Sequence, residues 1–140
     1  MEIARRILDQ FNDDGVDLDR GGEPGWAEDE AIDPDLEVVP LRAALEDTVY
    51  RAPHAAGQFW SDCHASWRTL RFEIREIRDE SADHVLAFGT LEGTARETGL
   101  EVAADRVMLV TFRSGRVVRI ATCDTEAKAL EAIREANGGA

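Results

Sequence analysis

The spacing of hydrophobic residues predicts helices in the first half of the chain. Apolar side chains near the start recur every three or four residues, which places them on one face of an amphipathic helix. They are Ile3, Ala4, Ile7, Leu8 and Phe11. This helix is predicted to end over residues 12–15, and a short strand is predicted at 36–39, where Pro40 ends it. A second helix with an aromatic stripe is predicted over residues 55–69.

From residue 70 the hydrophobic pattern changes to the alternation that is typical of strands. We predict strands at residues 70–78, 84–96, 100–112 and 116–123. Thr98–Gly99 and Ser114–Gly115 are the turn signals of an antiparallel meander. Thr125 can cap a final helix that buries Ala129, Leu130 and Ile133. This order predicts an α+β fold in which a curved antiparallel sheet wraps the N-terminal helices.

The turns also predict which side chains share a face of the sheet, because side chains alternate along a strand. A two-residue turn at Ser114–Gly115 pairs Phe112 with Val117. The face that carries Arg106 and Arg119 is predicted to lie outside, since unpaired arginines are costly to bury. The opposite face is predicted to form the wall of an apolar pocket. Its members are Phe88, Thr90, Val107, Leu109, Thr111, Val118, Ile120 and Thr122.

Two acidic residues on the predicted pocket wall suggest catalysis. The same register places Glu92 directly opposite Asp105, where two carboxylates would repel each other. Such a pair could share a proton, and one member, preferably Asp105, could act as a general acid or base on an enolisable carbonyl compound. In the alternative interpretation, Gly93 introduces a bulge, the register slips and Glu92 points to water at the rim.

Aromatic and histidine side chains supply further candidates for ligand binding. Tyr50 and His54 are predicted near the pocket entrance, where either could donate a hydrogen bond to a ligand oxygen or simply lie in an exposed loop. Trp60, His64 and Trp67 share the helical stripe and either line the pocket or belong to the core. No spacing of His, Cys or acidic residues indicates a metal site.

Composition restricts the possible partners. The 140 residues have 44% hydrophobic content and can bury one core, which predicts a single domain over 1–140. A net charge of −13 disfavours nucleic acid and anionic membranes. No apolar run reaches the roughly 18 residues of a membrane span, and the amphipathic start is unlike a signal peptide. Cys63 and Cys123 are interpreted as core residues of a reduced, cytoplasmic protein. No cofactor-binding motif occurs, so no cofactor is expected.

Four segments resemble the SnoaL-like branch of the nuclear transport factor 2-like superfamily. They are residues 32–38, 49–60, 97–102 and 110–119, and they follow one another in the expected order over nearly the whole chain. The resemblance implies a cone-shaped, cystatin-like α+β barrel that encloses an apolar pocket and commonly forms a homodimer through the outer sheet face. The glycine-rich residues 21–25 depart from the family pattern.

The superfamily includes polyketide cyclases, ketosteroid isomerases, epoxide hydrolases and non-catalytic members, so the fold does not select one function. Two hypotheses follow. One is a cofactor-free isomerase or cyclase that transfers protons on a small apolar carbonyl compound. The other is a non-catalytic module that binds a small hydrophobic ligand or dimerises, with Met108, Val110 and Phe112 as the predicted dimer surface. An empty cavity with Asp105 at its base would favour the enzyme.

Overall fold

The computed structural model describes residues 2–15, 18, 25–40 and 49–138. Residues 16, 17 and 19–24 of the predicted glycine-rich loop lie outside the described residues, as do 41–48. A short 3-10 turn, Gly25–Glu28, precedes the first strand. The helices and strands are α1 (Glu2–Gly15), β1 (Ile32–Val39), α2 (Ala55–Ser66), β2 (Trp67–Ser81), β3 (His84–Ala95), β4 (Glu101–Arg113), β5 (Arg116–Cys123) and α3 (Glu126–Gly138).

The five strands form one curved, open sheet in the order β1-β5-β4-β3-β2. Neighbouring strands are antiparallel, except that β1 runs parallel to β5. The front face of the sheet packs against α1 and α2, and the back face packs against α3. The α+β arrangement predicted from the sequence is therefore confirmed, but the sheet does not close into a barrel.

α1 is held against the edge of the sheet by its apolar stripe and, near its end, by two hydrogen bonds of Asn12 and a close backbone approach at Gly15. Ile7, Leu8 and Phe11 are buried in the front-face core. The Asn12 side chain donates to the Phe72 carbonyl (2.9 Å) and accepts from the Phe72 N–H (2.7 Å), which satisfies backbone groups on the free edge of β2. A Cβ at Gly15 would lie 2.0 Å from the Leu70 carbonyl oxygen, so only glycine permits this approach.

An aromatic cluster joins α1, the 3-10 turn and α2. The Trp26 ring is buried, with its centroid 6.5 Å from that of Phe11 and 6.2 Å from that of Trp60. Phe59 packs edge-on to Trp26 at 6.3 Å. These tilted and edge-to-face contacts fix the position of α2 over the sheet.

The β4–β5 hairpin begins as predicted and then shifts by one residue. Ser114 and Gly115 both have positive φ (54° and 79°), and Phe112 pairs with Val117. The next pair is Thr111 with Arg119, because Val118 is an extra residue on β5. This bulge reverses the predicted relation between the faces of β4 and β5 beyond the turn.

The β3–β4 register also differs from the prediction. The Ala95 N–H donates to the Leu100 carbonyl (2.9 Å), so the turn contains four residues rather than two. Glu92 consequently pairs with Ala103, and Asp105 pairs with Thr90. The ladder runs through Gly93 without a shift, so the register changes at the turn and not at a bulge there.

The bulge in β5 changes the face assignments, whereas the shift of two residues between β3 and β4 keeps each side chain on its face. Ile120 and Thr122 lie on the front face, as predicted, where they pair with Val110 and Met108. The prediction for β3 and β4 was wrong, because Phe88, Val107 and Leu109 pack on the back face with α3. The Thr125 hydroxyl accepts the Lys128 N–H (3.2 Å) and caps α3 as predicted.

The predicted dimer surface is also wrong. Met108 and Val110 are buried on the front face, and Phe112 packs against the same core. These side chains pack within the chain instead of forming an outer surface. A homodimer stays a prediction without an assigned interface.

Candidate functional site

A cavity of about 430 Å³ lies between the front face of the sheet and α2. Its size is within the range of small-molecule sites, and its wall is largely apolar. The lining residues are Phe11, Pro40, Tyr50, Phe59, Asp62, Cys63, Ser66, Trp67, Leu70, Leu91, Glu92, Gly93, Val102, Ala104, Arg106, Met108 and Thr122.

Strands β4 and β5 form one wall of the cavity. Ala104, Arg106 and Met108 alternate along β4 and therefore face the same side of the sheet. Thr122 of β5 lies beside Met108, and its hydroxyl donates to the Met108 sulfur at 3.2 Å. The wall is apolar except for one hydroxyl and one guanidinium.

Trp67 forms another part of the wall, at the junction of α2 and β2. The sequence predicted a helical Trp67, but its backbone is extended (φ −130°, ψ 144°) while its N–H still bonds to the Cys63 carbonyl. Arg96 holds the junction by donating to the carbonyls of His64 (2.7 Å) and Trp67 (3.1 Å). A Cβ at Gly93 would lie 2.7 Å from the Trp67 ring, so the glycine leaves room for the indole.

Tyr50 and Asp62 form a polar pair in the cavity wall. Two backbone hydrogen bonds of 2.9 Å tie Tyr50 to Val38 of β1, and the Tyr50 ring packs edge-on to Phe59 at 5.6 Å. The buried Tyr50 hydroxyl donates a short hydrogen bond to the Asp62 carboxylate on α2. Asp62 is itself exposed, so the pair connects the cavity with solvent.

Arg106 brings a positive charge to the same cavity. Its side chain is 24% exposed, and its Nη1 donates to the Asp105 carbonyl at 2.7 Å. The same Nη1 lies 3.5 Å from the carboxylate of Asp124, which is 63% exposed. Arg106 was predicted to lie outside, and this prediction was wrong because the register of β4 against β5 shifts.

The predicted catalytic carboxylates do not lie together in the cavity. The Asp105 side chain is 79% exposed, pairs with Arg75 at 3.2 Å and accepts from the Thr90 hydroxyl at 3.1 Å. Glu92 contributes to the cavity rim, but strand alternation between Leu91 and Gly93 directs its side chain to the back face. The geometry that suggested a shared proton is therefore absent.

The other predicted ligand residues divide between the cavity and its surroundings. Tyr50, Trp67 and Thr122 line the cavity. Trp60 is buried in the aromatic cluster, and the His64 Nδ1 makes a short contact with the Leu18 carbonyl. Ile120 packs against the front-face core beside the cavity.

His54 lies elsewhere. It borders a separate groove of about 290 Å³ with residues of β1 and the start of α2. His54 is exposed there, which agrees with the alternative of a loop histidine. Its predicted contact with a ligand in the main cavity is not supported.

Two polar side chains of the cavity wall, Asp62 and Arg106, were not predicted from the sequence. Asp62 follows Phe59 by three residues and precedes Ser66 by four, so helical spacing alone would have placed it on the cavity side of α2. Arg106 carries no such signal, because its face depends on the extra residue in β5.

Neither a metal centre nor a reactive thiol emerges from the described residues. Among them, no group of three or more His, Cys, Asp or Glu side chains is placed to hold a metal ion. Cys63 and Cys123 are buried, as predicted. Burial raises the pKa of the Cys123 thiol. No helix in the described part of the chain has the length and hydropathy needed to cross a membrane.

Comparison with known proteins assigns the family. Residues 4–120 match the model of the SnoaL-like domain. The chain belongs to the SnoaL-like family. No curated protein matches the sequence significantly.

Several solved structures share this SnoaL-like fold. TerC, co-crystallised with polyporic acid, has 20% identity and a TM-score of 0.69, with 95% of this chain and 96% of TerC covered. An NTF2-like protein of unknown function from Burkholderia pseudomallei has 18% identity and a TM-score of 0.67, with 96% and 97% covered. A protein from Jannaschia sp. CCS1, assigned as a SnoaL-like polyketide cyclase, has 17% identity and a TM-score of 0.65, with 96% and 91% covered. At these identities the likeness establishes the fold alone.

Proposed function

We propose that this SnoaL-like protein binds a small, largely apolar molecule in the cavity between the sheet and α2. The observation that carries the proposal is the cavity itself, about 430 Å³ in volume with an aromatic and aliphatic wall and few polar groups. Such a wall favours burial of a ring system, and the polar groups can fix its orientation. The related structure of TerC was co-crystallised with an organic acid, which supports a small-molecule ligand for this fold.

Filling the cavity tests this proposal. Ala104 lines the cavity, whereas Ala103 is exposed and is directed to the opposite face of β4. We expect 2-naphthamide, a neutral two-ring probe, to bind with a dissociation constant of about 1 mM or lower, which corresponds to about −4 kcal/mol. Ala104→Phe should weaken binding at least about tenfold, which is about 1.4 kcal/mol, because its ring occupies the ligand volume.

Isothermal titration calorimetry measures both affinities, and Ala103→Phe is the matched control with the same added ring. Equal affinities of the wild type, A104F and A103F would contradict binding in this cavity. Circular dichroism melting of the two variants shows whether each remains folded.

Proton transfer is a second candidate function, favoured by the Tyr50–Asp62 hydrogen bond. In this reaction the Asp62 carboxylate removes a proton from the carbon next to a ligand carbonyl, and the C–H electron pair becomes the enolate. A proton then returns to the same or a conjugated carbon. Tyr50 holds the carboxylate in the cavity wall, so the reaction needs no group beyond the chain's own residues.

Hydrogen exchange into an enolisable ketone tests the second candidate. In D₂O, the wild type should speed replacement of the α-hydrogens of 2-tetralone by deuterium, followed by NMR. Asp62→Asn should reduce the enzymatic rate by ~10²-fold or more, because the amide cannot accept the proton. Tyr50→Phe should reduce it less, because the base remains.

The control is His54→Gln, which changes an exposed side chain outside the cavity. Exchange at the solution rate in the presence of wild-type protein, or an unchanged rate in D62N, would contradict catalysis. Neither result would affect the binding proposal.

A further inference from the structure

Arg106 is a positively charged side chain in the mostly apolar wall of the cavity. Its neighbours along the front face are Ala104 and Met108, and three quarters of its side-chain surface is removed from water. Only Nη1 has partners among the described residues, namely the Asp105 carbonyl at 2.7 Å and the exposed Asp124 carboxylate at 3.5 Å. Its Nε and Nη2 donors have no hydrogen-bond partner in that part of the chain. Donors of a guanidinium that are not used by the protein can form charge-assisted hydrogen bonds to an anionic group of a ligand.

We propose that the cavity selects ligands that carry an acidic oxygen group, a carboxylate or an ionised phenol, which binds to Arg106. This inference rests on the proposed binding function and specifies its ligand class. A planar guanidinium presents paired donors that match the two oxygens of a carboxylate or the oxygen of a phenolate. The Asp124 carboxylate lies 3.5 Å from Nη1 and is 63% exposed, so as a solvated surface ion pair it competes only weakly with a ligand anion.

The charges of the cavity also orient such a ligand. Asp62 lies on α2 and Arg106 on β4, so the two charged groups come from different walls. The acidic group is drawn to Arg106 and repelled by Asp62, which leaves the uncharged part of the ligand near Tyr50. The chain carries a net charge of −13, so an anion gains nothing from the overall field of the protein. Selection for an acid therefore depends on this single local cation.

A pair of nearly isosteric probes isolates the effect of charge. 2-Naphthoate and 2-naphthamide share one ring system and differ in the charge of the substituent. At neutral pH the wild type should bind 2-naphthoate at least about tenfold more tightly than 2-naphthamide, a difference of about 1.4 kcal/mol. Arg106→Gln should abolish that preference, because its neutral amide no longer attracts the carboxylate, so binding of 2-naphthoate should fall more than binding of 2-naphthamide. Circular dichroism melting shows whether the variant is folded.

Arg119→Gln is the matched control, because Arg119 is exposed and lies next to the front-face residue Ile120 on β5. It should retain the full preference for 2-naphthoate. Equal binding of both probes by the wild type, or a preference that persists in R106Q, would overturn the inference alone. Failure of both probes to bind the wild type would overturn it together with the proposed binding function.

Discussion

Asp29 links α1 to the start of β1 through hydrogen bonds on both carboxylate oxygens. Arg6 donates from Nε and Nη2 at 2.7 Å each, and the Ala31 N–H and the Gln10 amide donate at 2.9 and 3.1 Å. The Asp29 side chain is only 6% exposed. The bonds from Arg6, against the opposing effect of burial, lower the pKa of Asp29 to about 2.

The lowered pKa of Asp29 predicts a stability contribution that depends on pH. The folded protein binds this proton less readily than the unfolded chain, so the contribution is complete above the ordinary pKa of 3.8 and is lost as pH falls through about 2. At about 1.4 kcal/mol per pKa unit it amounts to about 2 kcal/mol. Asp29→Asn should lower the free energy of unfolding by that amount at pH 7, and the difference from wild type should shrink between pH 4 and 2.

Urea denaturation at several pH values measures this difference. Asp9→Asn, which removes an exposed carboxylate from the same helix, should match the wild type throughout. If the free energy of unfolding of D29N stays below that of the wild type by a constant amount down to pH 2, the carboxylate acts through packing rather than through its charge.

The surroundings of Asp105 and Arg106 depend on their positions in the strand rather than on their residue types. Asp105 and Arg106 are neighbours in sequence, but one points to water on the back face and the other into the cavity. Their residue types gave the opposite expectation, because a guanidinium is costly to bury and a carboxylate pair suggests a site. Strand register, rather than residue type, therefore decides which of the two side chains faces the cavity.

Secondary structure was largely predictable, because hydrophobic spacing and turn residues are local signals. α1 and all five strands were recognised, β5 with the same bounds as observed, and β3 and β4 within a residue at each end. The end of α2 was placed three residues too late, since an aromatic stripe continues in register from Phe59 and Cys63 into Trp67. The extended backbone at Trp67 is fixed by Arg96 from the turn after β3, which is a tertiary interaction that local spacing cannot reveal.

Strand register was not predictable to the same degree. A turn sequence fixes the first pair of a hairpin, as Phe112 and Val117 show. An extra residue such as Val118 carries no turn signal, because a β-branched residue suits a regular strand equally well. Since one inserted residue moves every later side chain to the other face, this single feature accounts for the misplaced wall of the cavity.

At the scale of the whole molecule, buried apolar side chains form two clusters, one on each face of the sheet. The front face of the sheet holds the larger core and the cavity, and the back face is covered in part by α3 through Ala129 and Ile133. This helix explains why Val107 and Leu109 are apolar although they do not face the cavity. A pattern that is apolar on both sides of β4 could not show from the sequence alone which side holds the ligand.

The two methionines of the chain, Met1 and Met108, allow a direct test of where the ligand binds. Met108 lies in the cavity wall, whereas Val107 and Leu109 lie on the back face. In a titration with 2-naphthoate, followed by NMR of ¹³C-labelled methyl groups and assigned with Met108→Leu, the Met108 signal should shift in proportion to occupancy. The methyl signals of Val107 and Leu109 should change little. An unchanged Met108 signal, with shifts confined to Val107 and Leu109, would contradict ligand binding between the sheet and α2.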